Sequence, residues 1–175
     1  MRVSIIGQAA FGEAVFTRLR DNGTEVVAVS APGAADGVRP DALWAAAEAA
    51  GVPLVPTSSL KDEAHLARWR SFAADLCLMA FVTDILPDDV FSAARQGTIQ
   101  YHPSLLPLHR GSSAINWALI HGRQETGLTI FWPDAGIDTG PVLLQKRVPL
   151  GPEDTVASLY FEQLFPLGVD AMAEA

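Results

Sequence analysis

Short apolar runs alternate with helix-like stretches along the amino-terminal half of the chain. Residues 2–6 (RVSII) form an apolar run that stops at a glycine, which is typical of a buried parallel strand. Residues 12–22 carry Ala14, Val15 and Leu19 at helical spacing, and residues 25–30 (EVVAVS) form a second apolar run. This β-α-β opening predicts a Rossmann-like half.

The alternation continues to the carboxyl end. We expect further strands at residues 52–55, 75–81, 97–101, 127–132 and 142–148. We expect helices at residues 41–50, 61–72, 88–95, 112–121 and from residue 155 onward, the last capped by Asp154, and a surface loop at residues 31–39. The predicted fold class is α/β: a Rossmann-like, mostly parallel twisted sheet with helices on both faces.

Composition limits the class of protein further. Of the 175 residues, 49% are apolar and 18% are charged, which fits one compact domain spanning residues 1–175. The formal net charge of −8 disfavours a nucleic-acid partner. No apolar run approaches the roughly 20 residues that span a bilayer, and the first residues lack signal-peptide organisation, so we expect a cytoplasmic protein. The last helix reaches Ala175 without a capping signal, which suggests a domain cut from a longer chain.

Several common chemical motifs are missing from the sequence. The lone Cys77 lies in an apolar run and is expected to be a buried structural thiol. No His/Cys spacing predicts a metal site, and no G-x-S-x-G elbow predicts a serine hydrolase. The turn at residues 7–12 (GQAAFG) lacks the middle glycine of a dinucleotide fingerprint and the lysine of a P-loop. Close packing of a helix on a strand is the simpler interpretation of its glycines.

Residues 97–111 (GTIQYHPSLLPLHRG) form the most unusual segment. Gln100 and His102 are two residues apart on a predicted strand, so both side chains point to the same face. Pro103 ends that strand and places His102 at its carboxyl end, where open α/β sheets bind ligands. The residues alone leave two interpretations of His102 open, a catalytic group and a structural histidine.

Residues 136–141 (GIDTGP) hold a single carboxylate, Asp138, between two predicted strands. One interpretation is an ordinary hairpin turn, since Asp and Gly favour turns. The other is a carboxylate that orients His102, so that a charged imidazole can stabilise an oxyanion or donate a proton to a leaving nitrogen. The local pattern does not decide between them.

The three other histidines give weaker indications. His65 lies on a polar helical stretch and is expected to be exposed. His109 is expected to be a solvated loop residue, with contact to an anionic ligand as the alternative. His121, next to a glycine, is expected at a helix carboxyl terminus, where it favours the helix dipole.

The motifs His102–Pro107 (HPSLLP) and Asp138–Pro141 (DTGP), in this order, resemble the formyltransferase family that uses 10-formyltetrahydrofolate. The resemblance covers the whole chain and implies a formyltransferase fold. Residues 5–15, 101–122, 129–140 and 154–166 are most similar to the amino-terminal hydrolase domain of 10-formyltetrahydrofolate dehydrogenases. That similarity implies, as a partner, a carboxyl-terminal domain outside this sequence.

The resemblance also implies the roles of individual residues. His102 and Asp138 match the family's catalytic pair, and Gln100 takes the place of the family's Asn, which displaces its amide. The implied ligand is 10-formyltetrahydrofolate, a small-molecule folate that acts as formyl donor, with no metal. The residues implied to bind it are Met79, Ala80, Phe81, Val82, Asp84, Leu105, Asp134 and Ile137.

The implied activity is removal of the formyl group from 10-formyltetrahydrofolate, by hydrolysis to formate or by transfer to an acceptor, yielding tetrahydrofolate. One alternative is an N-formyltransferase that acts on an amine: a sugar nucleotide, hydroxyornithine, methionyl-tRNA or glycinamide ribonucleotide. Bulky Gln8 and Phe11 in the first turn argue against a phosphorylated ribonucleotide, and the acidic charge argues against tRNA. Another alternative is a non-catalytic folate-binding module.

Overall fold

The computed structural model describes residues 1–33 and 38–175, so part of the predicted loop at residues 31–39 lies outside the described residues. The chain divides into two compact units, Met1–Ile99 and Gln100–Ala175. The backbone passes from the first unit to the second within one strand.

The first unit is built on parallel strands. Its strands are β1 (Arg2–Gly7), β2 (Glu25–Ala31), β3 (Leu54–Pro56) and β4 (Leu76–Ala80). Strand β1 pairs in parallel with both β2 and β4, and β2 pairs in parallel with β3. All five residues of β4 are buried, as expected for a parallel strand covered on both faces. The predicted parallel sheet is therefore present here, with strand ends within two residues of expectation.

The helices of the first unit are α1 (Ala9–Asp21), α2 (Ala42–Ala49), α3 (Glu63–Ser71) and α4 (Asp88–Phe91). Two predicted helices differ from expectation by three residues or more. Helix α1 begins at Ala9 instead of residue 12, and α4 ends at Phe91 instead of residue 95. The helix predicted at residues 61–72 is present as α3, preceded by a 3-10 helix at Thr57–Lys61.

Helices cover both faces of the first unit's sheet. Cys77 and Met79, two residues apart on β4, belong to a buried cluster with Leu66 of α3 and Val90 of α4. Helix α1 packs against β1 and β2 through residues that lie outside that cluster, among them Val15. Burial raises the pKa of the Cys77 thiol to about 11, in agreement with the predicted structural thiol.

The strands of the second unit are antiparallel. Strand β5 (Thr98–His102) begins in the first unit and continues into the second, where it pairs with β6 (Glu125–Phe131). Strand β6 pairs in turn with β7 (Val142–Pro149). The connection between β6 and β7 contains no helix and is shorter than the crossover that parallel pairing requires. Helix α5 (Ala114–Ile120) lies between β5 and β6 in the sequence.

The carboxyl-terminal helix differs from the prediction. It is divided into α6 (Val156–Ser158), a π-helical segment at Leu159–Leu164, and α7 (Phe165–Glu174). Pro166 lies in the first turn of α7 and has no N–H to donate to the preceding turn, so the regular hydrogen-bond ladder is interrupted there. The expected cap Asp154 is also wrong, because Thr155 is the N-cap.

Thr155 and Ser158 form a capping box, while the Asp154 carboxylate accepts hydrogen bonds from the Gly151 N–H and the Ser158 hydroxyl. Across the described part of the chain, no helix combines the length and the apolar character that crossing a membrane requires.

Candidate functional site

The second unit places His102 at the end of a strand, as predicted. It is the last residue of β5, is only 6% exposed, and lies opposite Thr129 of β6. Gln100 lies two residues earlier, is partly buried and lies opposite Phe131. Because strand side chains alternate, Gln100 and His102 share one face of the sheet.

The structure brings Asp138 to His102. Asp138 lies in the connection between β6 and β7, and its Oδ2 atom is 3.3 Å from Nδ1 of His102. The two side chains are 11% and 7% exposed, respectively, so water screens the pair only weakly. Of the two interpretations of Asp138, the partner of His102 is the one that the structure supports.

The backbone around Asp138 holds the carboxylate in place. The Gly111 N–H donates to Oδ2 of Asp138 over 2.7 Å. Asp138 has φ of 51°, a left-handed conformation that Asp adopts more readily than most residues. At Gly140 a Cβ would lie 1.7 Å from the Trp132 carbonyl oxygen, so the close approach of these two backbone segments requires glycine.

The second ring nitrogen of His102 is also bound within the protein. Its Nε2 lies 2.8 Å from the carbonyl oxygen of His109. A carbonyl oxygen only accepts, so Nε2 carries a hydrogen and donates it. The sequence offered no signal for this contact, because it involves a backbone atom of a loop residue.

A hydrogen count then defines the state of the His102–Asp138 pair. Because Nε2 is the donor to His109, a neutral ring would present a bare lone pair at Nδ1. An ionised carboxylate also only accepts, so both atoms of the 3.3 Å contact would be acceptors. The contact is satisfied when one proton lies between Nδ1 and Oδ2. The pair is therefore arranged to hold and exchange a proton.

The side chain of His109 is partly buried and lies beside other aromatic rings. Its ring centroid is 5.5 Å from that of His121, which lies 5.7 Å from the Trp117 ring. Burial lowers the pKa of His109, and the nearby charge of Arg123 lowers it further. His109 is thus a loop residue with limited access to solvent, and its contact with an anionic ligand stays a prediction.

The two remaining histidines lie where they were expected. His65 has a side chain that is 42% exposed and faces Asp62. His121 is the C-cap residue of α5.

The residues implied to bind folate in the first unit surround the end of β4. Met79 and Ala80 are its last residues and are almost fully buried. Phe81 follows with φ of 61° and a side chain that is 40% exposed, while Val82 is partly buried and Asp84 is exposed. A non-glycine residue with positive φ is often held for a functional reason, and here it leaves an aromatic ring accessible.

The residues of the second unit that are implied to bind folate differ in how accessible they are to a ligand. Leu105 is 8% exposed and offers little free surface, whereas Ile137 is 68% exposed. Asp134 accepts hydrogen bonds from the Thr139 hydroxyl and the Gly136 N–H, and these bonds lower the pKa of its carboxyl group. Its carboxylate therefore shapes its own turn. Within residues 1–33 and 38–175, no three His, Cys, Asp or Glu side chains converge as metal ligands would.

The first strand-to-helix turn is closed by packing. A Cβ at Gly7 would lie 2.4 Å from the Ala80 carbonyl oxygen, so this glycine permits the close approach of β1 and β4. The Ala9 N–H, at the start of α1, donates to Oδ2 of Asp41 over 2.8 Å. The glycine at position 7 thus permits close packing, but of two strands and not of a helix on a strand as predicted. A carboxylate of the chain occupies a position where other turns of this kind bind an anion.

A strand end that presents a buried imidazole–carboxylate pair is the organisation of a catalytic α/β domain. Residues 1–167 match the family model described as formyl transferase. The chain therefore belongs to the formyl transferase family, as the HPSLLP and DTGP motifs implied.

Comparison with individual proteins agrees with this assignment. The chain is 43% identical over 180 residues to the cytosolic 10-formyltetrahydrofolate dehydrogenase of Homo sapiens, covering 100% of this chain and 20% of that protein. The chain thus spans about one fifth of the length of that relative.

Solved structures confirm the predicted fold class. A phosphoribosylglycinamide formyltransferase from Anaplasma phagocytophilum has a TM-score of 0.85 at 22% identity, covering 99% of this chain and 84% of that one. A formyltetrahydrofolate deformylase from Pseudomonas syringae has a TM-score of 0.75 at 19% identity, covering 99% of this chain and 61% of that one. At these identities the comparisons establish a shared fold.

Proposed function

We propose that this domain removes the formyl group of 10-formyltetrahydrofolate and transfers it to water, releasing formate and tetrahydrofolate. The observation that carries the proposal is the buried contact of 3.3 Å between His102 and Asp138 in a chain of the formyl transferase family. Two similar proteins support the choice of substrate, since one is named a 10-formyltetrahydrofolate dehydrogenase and the other a formyltetrahydrofolate deformylase.

In the proposed reaction, water attacks the formyl carbon, a C–O bond forms and the formyl oxygen becomes an oxyanion. Asp138 takes the proton of the attacking water and exchanges it with His102 across their contact. The bond between the formyl carbon and N10 then breaks, and N10 leaves with a proton supplied through His102. Formate and tetrahydrofolate are the products. These steps consume only water, and the protons move through the His102–Asp138 pair.

Two structural features define how His102 and Asp138 would act. Oδ2 of Asp138 is occupied by Gly111 and His102, whereas Oδ1 makes no hydrogen bond to any residue that the structure describes. We therefore assign Oδ1 as the atom that meets the attacking water. The Nε2 hydrogen of His102 points to the His109 carbonyl, so a donor role toward the oxyanion requires it to be shared between that carbonyl and the substrate.

Gln100 is proposed as a further donor to the formyl oxygen. It lies on the same strand face as His102 and is partly buried, and its amide can donate a hydrogen bond. The extra methylene relative to the family's Asn moves this amide along the face.

Water is favoured as acceptor over a phosphorylated amine because of the first turn. Asp41 accepts from the Ala9 N–H through Oδ2 and from the Leu43 N–H through Oδ1. Its negative charge therefore lies at the start of α1, where a substrate phosphate would need both the N–H groups and the positive end of the helix dipole. A like charge at that point repels a phosphate group.

Replacing Asp41 with alanine is expected to lower the free energy of unfolding by about 0.5–2 kcal/mol, because one carboxylate caps α2 and also satisfies the Ala9 N–H. Urea unfolding followed by circular dichroism measures the change. Asp21→Ala is the matched control, since it removes the same charge from the last residue of α1, where a carboxylate caps nothing. Equal stabilities of D41A and D21A would refute the capping role.

The proposed activity is tested by incubating the purified protein with 10-formyltetrahydrofolate alone, with simple amines, and with a phosphorylated amine such as glycinamide ribonucleotide. Tetrahydrofolate and formate are expected to appear in equal amounts without any acceptor. Formylated amine without formate would instead identify an N-formyltransferase. Folate binding without any release would identify a non-catalytic module.

We also propose a cytoplasmic location and an associated carboxyl-terminal domain. The similar human protein is named cytosolic, which supports the location. This chain covers only 20% of that protein, which supports a further domain. The net charge of −8 argues against nucleic acid as a partner.

A further inference from the structure

We infer that Thr129 and Gln145 are positioning residues for His102. They fix the loop at residues 103–109 so that the His109 carbonyl holds Nε2 of the ring, and thereby set which nitrogen faces Asp138. The effect of these two residues on the reaction rate rests on the proposed function, whereas their role in holding the His102 ring does not.

Three residues form a row across the strands of the second unit. His102 lies opposite Thr129 in the pairing of β5 with β6, and Thr129 lies opposite Gln145 in the pairing of β6 with β7. Directly opposed residues of antiparallel strands point their side chains to the same face. The row therefore places two polar side chains beside the catalytic histidine, and the loop that follows His102 is bonded to both.

Thr129 is fully buried, and its hydroxyl has no spare bonding capacity. It donates to the Ser104 carbonyl over 2.7 Å and accepts from the Leu106 N–H over 3.1 Å. It also accepts from Nε2 of Gln145 over 2.9 Å. A hydroxyl has one donor and two acceptor sites, so all three are used, and two of them bind the loop backbone.

Gln145 fixes the same loop at a third point. Its Nε2 donates one hydrogen to Thr129 and the other to the Leu106 carbonyl over 2.8 Å. Both hydrogens of the amide are thus assigned, and a flipped amide would place its oxygen against a carbonyl oxygen. Each of the two side chains therefore holds Leu106 by a different backbone atom.

Strand β6 also provides the surface on which the loop lies. A Cβ at Gly127 would lie 2.7 Å from Cδ2 of Leu105, so the absent side chain makes room for this leucine. Within the loop, the Ser104 hydroxyl donates to the Leu108 carbonyl over 2.6 Å. Side-chain hydrogen bonds therefore hold the loop backbone at Ser104, Leu106 and Leu108 before it reaches His109.

His109 completes the chain of contacts. It has φ of 53°, and its carbonyl oxygen lies 2.8 Å from Nε2 of His102. The bond that one imidazole nitrogen makes decides the role of the other. Loss of the loop anchors would free Nε2, allow the ring to rotate or change tautomer, and separate Nδ1 from the Asp138 carboxylate.

The test compares Thr129→Val with Thr129→Ser. Valine matches threonine in shape but removes all three hydrogen bonds, whereas serine keeps the hydroxyl. Thr126→Val is the matched control, because Thr126 is a buried threonine of the same strand whose hydroxyl makes none of the bonds to the loop. Gln145→Met is a second disrupting variant that preserves side-chain length and does not place a change in the buried core.

Two measurements are made on each variant. Nitrogen-15 NMR of the imidazole reports the protonation of Nδ1 and Nε2 of His102, and steady-state kinetics gives kcat and KM for 10-formyltetrahydrofolate. We expect T129V and Q145M to change the His102 nitrogen shifts and to lower kcat about 10- to 100-fold with KM within about twofold. T129S and T126V are expected to resemble the wild type.

Unchanged nitrogen shifts and unchanged kcat in folded T129V or Q145M would overturn the inference. An equal fall in T126V would also overturn it, because it would show a general effect of altering β6. Failure of the proposed function can be told apart from failure of this inference. If the wild type showed no turnover but the positioning were correct, the His102 nitrogen shifts of T129V would still differ from those of the wild type.

Discussion

Replacing His102 with alanine is expected to lower the rate of tetrahydrofolate release from 10-formyltetrahydrofolate by about 100-fold or more. The substitution removes the hydrogen at Nε2 and the proton shared with Asp138, so neither the oxyanion nor the departing N10 has its donor. The expected loss is in kcat, because the imidazole acts on charge that develops after the substrate has bound. Single-turnover measurements, with the enzyme in excess and at a saturating concentration, give this step directly.

The control for this variant is His65→Ala, which removes an exposed histidine that makes no contact with the pair. Its rate is expected to equal that of the wild type. Thermal unfolding of both variants separates catalysis from stability, since His102 is buried and its removal also breaks two contacts. A folded H102A protein with near-normal turnover would remove His102 from the mechanism.

Replacing Asp138 with asparagine is expected to have an effect of similar size, about 100-fold or more in kcat. The amide has nearly the same shape and can still accept from the Gly111 N–H, and Asn tolerates the positive φ of this position as well as Asp does. The backbone should therefore be preserved. What is lost is the negative charge that holds the proton at Nδ1 of His102 and the base that meets the attacking water.

Glu153→Gln is the matched control for D138N, because it converts an exposed carboxylate of the same unit to an amide. Its turnover is expected to be unchanged. If D138N raised KM at unchanged kcat, Asp138 would be a residue that binds substrate, and the proposed proton exchange would be wrong.

The parallel half of the fold could be predicted from the sequence because its strands are buried on both faces. In the run at residues 75–81 every residue after Asp75 is apolar, and the five that form β4 are all buried. The carboxyl-terminal helix was predicted poorly. Its apolar spacing is continuous, and only Pro166, whose missing N–H interrupts the ladder, indicates the break into π-helix and α7.

The site could be predicted only in part, because some of its contacts join residues that are distant in the sequence. Strand periodicity and Pro103 located His102, because both are local features. The contact with Asp138 depends on how the β6–β7 connection folds, so the residues alone left it open and the family resemblance supplied it. Thr129 was missed, although a hydroxyl inside the apolar run of β6 is a usable signal, since a buried polar group needs partners.

The most direct test of the central claim is the amount of formate and tetrahydrofolate that the purified protein releases from 10-formyltetrahydrofolate in the absence of any amine, compared with its H102A and D138N variants. We expect the wild type to release the two products in equal amounts and both variants to be about 100-fold slower. Release of neither product by the wild type, or release by the variants at the wild-type rate, would contradict the claim that the His102–Asp138 pair removes the formyl group.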